Sequence, residues 1–345
     1  MPQVVISGFA DEAVYDRDVA DPREQLSVFS ALGLLHYTPR FVNLSGKHGG
    51  NKNVIYLDAD EFTRLRELND EYDMKVSSLG TPIGKSALVE GKPSKGKYKS
   101  RQEVMDDLDK AFTAGFKLST RLLRGFSFYP PEGDDTGKYY QQALDMLGKI
   151  KDSCEREGFL YGIEVETGLI GRDGQTVSRF LEDLGSPNVV GVYDGANVHV
   201  QGLNSVGEYI NMERRLGWMH MKDYEVPCKK AIELDEEGLK HFCPVDVGLV
   251  DYGTILCYFK SKITDIGSRL RGFELTNFSG GDVLMELEPH ISPKKGGGQF
   301  GGHSGPDGMG VALRALTKLL DRAGLDYRLR DYHSIKLRKM AKKIA

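Results

Sequence analysis

The chain has 345 residues, with 46 Lys+Arg against 50 Asp+Glu and a formal charge of -4. Its 40% hydrophobic and 28% charged residues suit a folded globular protein and exclude a disordered one, and the acidic balance argues against a nucleic-acid binder. No run of about 18 uncharged apolar residues exists, and the start, MPQVVISGFADEA, lacks the basic and long apolar regions of a secretory signal, so no membrane partner and no export are expected.

Strand-like and helix-like segments alternate along the chain. VVISGF (4–9) reads as a strand, followed by a helix over 21–33 with Asp21 as N-cap, Pro22 at its first position and Gly33 as its stop. A short strand over 37–44 precedes the amphipathic helix 58–73, and MKVSSLG (74–80) is the third strand. Helix 100–115, strand 120–128, helix 138–158 and strand 159–166 continue the rhythm. Then come helix 176–185, strand 188–194, helix 205–217, strand 218–224, helix 252–272, strand 283–290 and helix 310–324.

Eight strands in alternation with eight helices predict a parallel sheet clothed by helices, and eight such units close into a (β/α)8 barrel. A doubly wound open sheet is the alternative, but no G-x-G-x-x-G follows the first strand. No linker divides the chain, so residues 1–330 are expected to form one α/β barrel domain with extended βα loops, and 331–345 a basic tail carrying Lys336, Arg338, Lys339, Lys342 and Lys343. Longer interruptions fall near 45–56, 84–100, 225–250 and 291–309, and RGFELTNF (271–278) competes as a strand. The cysteines, Cys154, Cys228, Cys243 and Cys257, form no C-x-x-C pair and fit a reducing cytoplasm.

A barrel delivers its chemistry from the C-terminal ends of its strands. Strand five supplies Glu164 and Glu166, strand six Asp194, strand seven His220, and strand eight Glu286 and Glu288. Alternation puts Glu164 with Glu166, and Glu286 with Glu288, on one strand face. Buried carboxylates are costly unless cations or protons compensate them. Three carboxylates with one imidazole make an oxygen-rich donor set that favours Mn²⁺, Mg²⁺ or Co²⁺ over a thiolate-type zinc site. The alternative is an ion-pair network with Lys85, Arg124 and Lys222.

SGFADE (7–12), SSLGTPIGK (77–85), GIEVETGL (162–169), YDGANV (193–198), HMKD (220–223) and MELEPH (285–290) occur in an order that resembles the xylose-isomerase-like sugar phosphate isomerase/epimerase family, within the AP endonuclease family 2 superfamily of TIM barrels. The resemblance spans roughly residues 4–330. It implies one divalent metal, Mn²⁺ first with Mg²⁺, Co²⁺ or Zn²⁺ as options, held by Glu164, Asp194, His220 and Glu288, with Glu166 as rival to Glu164. Asn197 stands where some members carry histidine. Glu164 and Glu288 are then the expected proton-transfer groups and Lys222 the group that stabilises an enediolate oxygen. Lys85, Arg124, Glu166 and His290 are expected to bind substrate. The GGGQFGGHSGPDG stretch, with His303, is either a phosphate-binding loop at a helix N-terminus or a lid.

The resulting expectation is a metal-dependent isomerase or epimerase acting on a small carbohydrate, either as a monomer or as a homo-oligomer. Four readings stay open. The same enolate beside a 3-keto group expels a substituent at C1, which makes a 3-keto-glycoside lyase or deglycosylase the close alternative, with the 225–250 insertion giving room for an aglycone. An abasic-site endonuclease needs more histidines than the eight present and a basic groove. A non-catalytic sugar-binding barrel has no need of the intact ligand set.

Overall fold

The computed structural model describes residues 2–232, 234–273, 281–291 and 304–330. Residues 274–278 of the competing strand, His303 with the glycine-rich run 292–303, and the basic tail 331–345 lie outside the described residues.

Nine segments form the barrel wall: β1 (Val4–Gly8), β2 (His36–Tyr37), β3 (Lys75–Val76), β4 (Leu79–Gly80), β5 (Leu122–Gly125), β6 (Leu160–Glu164), β7 (Val189–Asp194), β8 (Leu216–Met221) and β9 (Val283–Leu287). Seven pair in parallel in the order β1-β9-β8-β7-β6-β5-β4. The remaining gap is closed by β2, whose extension at Thr38 donates its N–H to Gly8 and accepts from Ala10. On its other side β2 pairs with β3, His36 opposite Lys75 and Tyr37 opposite Val76. Segments β3 and β4 are two halves of one stave, broken at Ser77–Ser78. The result is an eight-stave TIM barrel.

Outside it lie α1 (Pro22–Ala31), α2 (Ala59–Tyr72), α3 (Arg101–Leu118), α4 (Tyr140–Glu157), α5 (Gly174–Leu184), α6 (Ser205–Met212), α7 (Tyr252–Leu270) and α8 (Gly305–Ala323). Their starts obey local chemistry. The Asp21 side chain accepts from the Arg23 N–H with Pro22 at the first turn, and Asp58 with Glu61 and Ser100 with Glu103 form capping boxes. Their apolar faces and the outward strand residues fuse into the main core. Inside the wall, Leu122, Leu160, Val190, Val192, Trp218 and Leu284 plug the barrel. Gly162 makes this plug possible, because a Cβ there would lie 2.3 Å from the Trp218 ring.

Most strands are shorter than the sequence reading has them, the third being split in two, and three further boundaries differ for a local reason. Strand two ends early, and Phe41–Val42 instead pairs antiparallel with Lys52–Asn53 in a hairpin. Strand seven starts at Leu216, so α6 stops at Met212. Helix α8 starts at Gly305, within a glycine-rich run whose low helix propensity reads as loop.

The 225–250 insertion is tied down at both ends by one side chain. Asp223 Oδ1 accepts from the Tyr224 N–H at 2.7 Å and from the Val250 N–H at 2.9 Å. Gly248 packs so closely that a Cβ would lie 2.1 Å from the Asp223 carboxylate. Asp223–Tyr224 pairs antiparallel with Phe242–Cys243. Tyr224 and Phe242 pack on Ala196 and Val200 in a small core of their own, with Leu234 and Leu239 against it.

Candidate functional site

The C-terminal ends of β6, β7, β8 and β9 bring Glu164, Asp194, His220 and Glu288 together. One donor atom from each lies within 4.8 Å of the others. All four are buried, at 2%, 0%, 0% and 5% exposure. Strand register explains the meeting: His220 lies opposite Asp194 in the β8–β7 pair and opposite Glu286 in the β8–β9 pair. His220 Nδ1 is 3.2 Å from Glu164 Oε1 and 3.4 Å from Glu288 Oε2.

Glu286 is the residue behind the histidine. Its Oε2 lies 3.3 Å from His220 Nε2. Its Oε1 accepts from Ser78 Oγ at 2.7 Å and from Thr38 Oγ1, with Ser77 Oγ at 3.4 Å. With the hydroxyls occupying one oxygen, the other is left to receive an Nε2–H. In the structure Nδ1 donates to Glu164 Oε1; with a cation in the cluster, an Nε2–H held toward Glu286 would leave the Nδ1 lone pair free to ligate it. Asn197 orients two carboxylates: its N–H donates to Asp194 Oδ1 at 2.9 Å, and its side-chain amide to Glu164 Oε1 at 3.4 Å and to the Val165 carbonyl at 3.1 Å.

Cations flank this cluster. The Lys222 ammonium bridges Asp194 Oδ2 at 2.9 Å and Glu288 Oε2 at 3.2 Å. Arg124 Nε is 3.3 Å from Glu164 Oε2. Arg40, which the sequence reading did not single out, reaches Glu288 Oε1 at 2.6 Å. The Phe9 ring sits between the two guanidinium groups, 4.6 Å from Arg40 and 5.0 Å from Arg124, and meets His220 edge-on.

Burial opposes charge throughout, and the neighbours decide each outcome. Against burial, His220 and Arg124 hold the Glu164 carboxyl down at about 2. Against burial again, Lys222, His220 and Arg40 hold Glu288 well below the usual carboxylate range. At Asp194 burial wins over Lys222 and the carboxyl is pushed up to about 6. Burial disfavours the imidazolium of His220, yet Glu164 and its carboxylate neighbours raise it well above the ordinary histidine value. Three carboxylates and an imidazole, buried together and oriented from behind, fit one hard divalent cation.

Glu288 alone of the four lines a cavity of about 460 Å³, together with Lys222, Asn197 and His290, while Glu164, Asp194 and His220 are buried and are not among its lining residues. One wall is polar, built from Asp11, Glu12 and Arg40. The insertion adds apolar lining, with Leu234, Leu239 and Phe242, the last packed edge-on against His290. Glu166 and Lys85 stand at the rim, paired at 3.0 Å, so of the two rival glutamates Glu164 joins the cluster and Glu166 faces the cavity. Arg124 is buried below, on Glu164, and is not among the lining residues. His290 Nδ1 is 2.8 Å from Glu12 Oε1, and its backbone holds φ +48°, a strained conformation for a residue with a side chain. Glu12 also accepts from Ser304 Oγ at 3.0 Å, which puts a carboxylate at the start of α8.

The xylose isomerase-like TIM barrel family matches residues 41–262, well over half of the chain. The chain belongs to this family. No curated protein matches its sequence. Among solved structures, the probable 3-DHS dehydratase AsbF of Bacillus anthracis superposes with a TM-score of 0.62 at 11% identity, covering 92% of this chain and 99% of that one. D-allulose 3-epimerase from Methylomonas sp. gives 0.61 at 15% identity over 93% and 99%. The IOLI protein, in a structure with a bound zinc atom, gives 0.64 at 13% identity over 94% and 99%. At such identities the likeness is one of fold. No helix among the described residues is long and apolar enough to cross a membrane.

Proposed function

We propose that this family member is a metal-dependent isomerase or epimerase that moves a proton beside a carbonyl of a small sugar or keto-sugar. The observation that carries the reading is the convergence of Glu164, Asp194, His220 and Glu288, the last of which lines a sugar-sized cavity beside Lys222 and Asn197. These four residues would hold one divalent ion, with Mn²⁺ preferred by the oxygen-rich donor set. The ion's chemistry is to polarise a carbonyl and neighbouring hydroxyl, which acidifies the C–H between them.

The chain's own residues supply the remaining parts. Glu164 and Glu288 enter from β6 and the end of β9, on either side of His220, so they can address opposite faces of a reacting carbon. Arg124 pins one oxygen of Glu164 and Arg40 one oxygen of Glu288, which fixes the direction of the other oxygen. Lys222 faces the cavity beside Glu288 and can donate to a developing oxyanion. Lys85, Glu166 and His290 line the walls and bind substrate hydroxyls. Two structures of the same fold are named as a D-allulose 3-epimerase and a probable dehydratase.

The test is solvent exchange. With Mn²⁺ in D₂O, ketoses or keto-sugars incubated with the protein should gain deuterium at the carbon beside the carbonyl. No exchange in any of them sinks the reading.

The apolar insertion wall favours one further reading, elimination of the C1 substituent from a 3-keto-glycoside at the same centre. Release of an aglycone with a glycal-type product separates it from epimerisation.

A further inference from the structure

Glu288 has two oxygens and two cationic neighbourhoods. Oε2 faces His220 and Lys222, within the four-ligand cluster. Oε1 faces a second group, in which Glu12, Glu288 and His290 also bring donor atoms within 4.8 Å of one another. That second group already holds a cation, the Arg40 guanidinium. It lies 2.6 Å from Glu288 Oε1, 2.9 Å from Asp11 Oδ2 and 3.3 Å from Glu12 Oε1. His290 Nε2 is 3.8 Å from the same Glu288 oxygen. The guanidinium is stacked on Phe9, and the Arg40 side chain is only 18% exposed.

This is the layout of a carboxylate-bridged two-cation centre, in which ions about 3.5–4 Å apart share a bridging ligand. We infer that Arg40 is the built-in second cation of this centre, a positioning residue that fills the place of a second metal and holds Glu288 as a bridge between the first metal and the guanidinium. The inference rests on the reading of the four-ligand cluster as a metal centre. The choice of cation has a chemical consequence. A guanidinium balances charge and fixes a carboxylate oxygen, here Glu288 Oε1, but it offers no open coordination position and cannot convert water to hydroxide. The centre therefore keeps the charge balance of a two-metal site without its hydrolytic nucleophile, as suits proton transfer on a sugar.

The experiment is metal stoichiometry by calorimetric titration and elemental analysis, with Mn²⁺ as probe. Wild type and R40K should take one Mn²⁺ per chain. R40M should take two, with the spin-coupled spectrum of a manganese pair, and R40M/E12Q should fall back to one. R40M that folds yet holds one Mn²⁺ overturns the inference. If R40M needs Mn²⁺ to fold, the metal has replaced the guanidinium and the inference stands. If R40M stays unfolded in millimolar Mn²⁺ while R40M/E12Q folds, unrelieved charge rather than a cation site is at work, and the inference fails. A wild type without metal contradicts the proposed function and with it the bridge, whereas one Mn²⁺ in both wild type and R40M overturns the role of Arg40 and leaves the proposed function standing.

Discussion

Glu286 makes no contact with the cavity, yet the structure gives it control of the metal centre through His220. In Glu286→Gln the side chain keeps its shape. Thr38, Ser78 and Ser77 supply three hydroxyls at the Oε1 position, with Ser78 at 2.7 Å, so the amide oxygen stays there and the NH₂ turns toward His220 Nε2. That NH₂ can only donate, so Nε2 becomes an acceptor and the ring proton moves to Nδ1, the atom that faces Glu164 and Glu288. Ligation then requires the less favourable tautomer or a rotated amide. Loss of such an orienting partner lowers metal affinity about 10- to 100-fold, or roughly 1.4–2.7 kcal/mol. Mn²⁺ titration calorimetry of both proteins measures the difference, with melting temperature as the control for folding. A folded Glu286→Gln that binds Mn²⁺ within twofold of wild type refutes the reasoning about His220.

Other substitutions probe other links. Lys222→Met removes the ammonium between Asp194 and Glu288 and leaves buried carboxylates unpaired, at a cost of about 3–5 kcal/mol without metal; the melting temperature should fall, and its rise on adding Mn²⁺ should exceed that of wild type. Burial pushes the Asp223 carboxyl up to about 7, against a reference near 3.9. The folded state therefore holds this proton more tightly, and the stabilisation is present below about pH 4 and lost as pH rises through about 7. Relative to Asp223→Asn, wild-type stability should decline across that window by about 1.4 kcal/mol per unit, and a flat difference between the two melting curves would contradict it. Gly162→Ala forces a methyl group against Trp218 and should cost about 1–3 kcal/mol in denaturant titration, whereas an unchanged midpoint would show a looser plug than the structure has.

The parts legible in the sequence were those whose signals are local. The Asp21 cap with Pro22 and Gly33 announces α1, and the strand–helix alternation announces the barrel. Glu164, Asp194, His220 and Glu288 stand out because carboxylates and an imidazole at the ends of apolar strands are expensive, and the structure brings those four together. Arg40 was silent for the opposite reason. It sits in a loop after β2, and its partners Glu12 and Glu288 are 28 and 248 positions away. Only closure of the barrel, which sets β1 between β2 and β9, joins them. Glu12 lay within the SGFADE motif, a signal that could have drawn attention to it. The alternation in FVNL resembled a continued strand two because a two-residue hairpin and a barrel stave share one local pattern. The insertion's role as an apolar cavity wall depends on Asp223 binding both of its ends, which no local spacing encodes.

The central claim is that Glu164, Asp194, His220 and Glu288 form a metal centre. Elemental analysis of protein purified without added metal, beside Glu288→Gln, tests it most directly. The account predicts close to one divalent ion per chain in the wild type and its loss in the variant. No metal in either protein, and none taken up on titration with Mn²⁺, would contradict it and leave the buried cluster as an ion-pair network around Lys222.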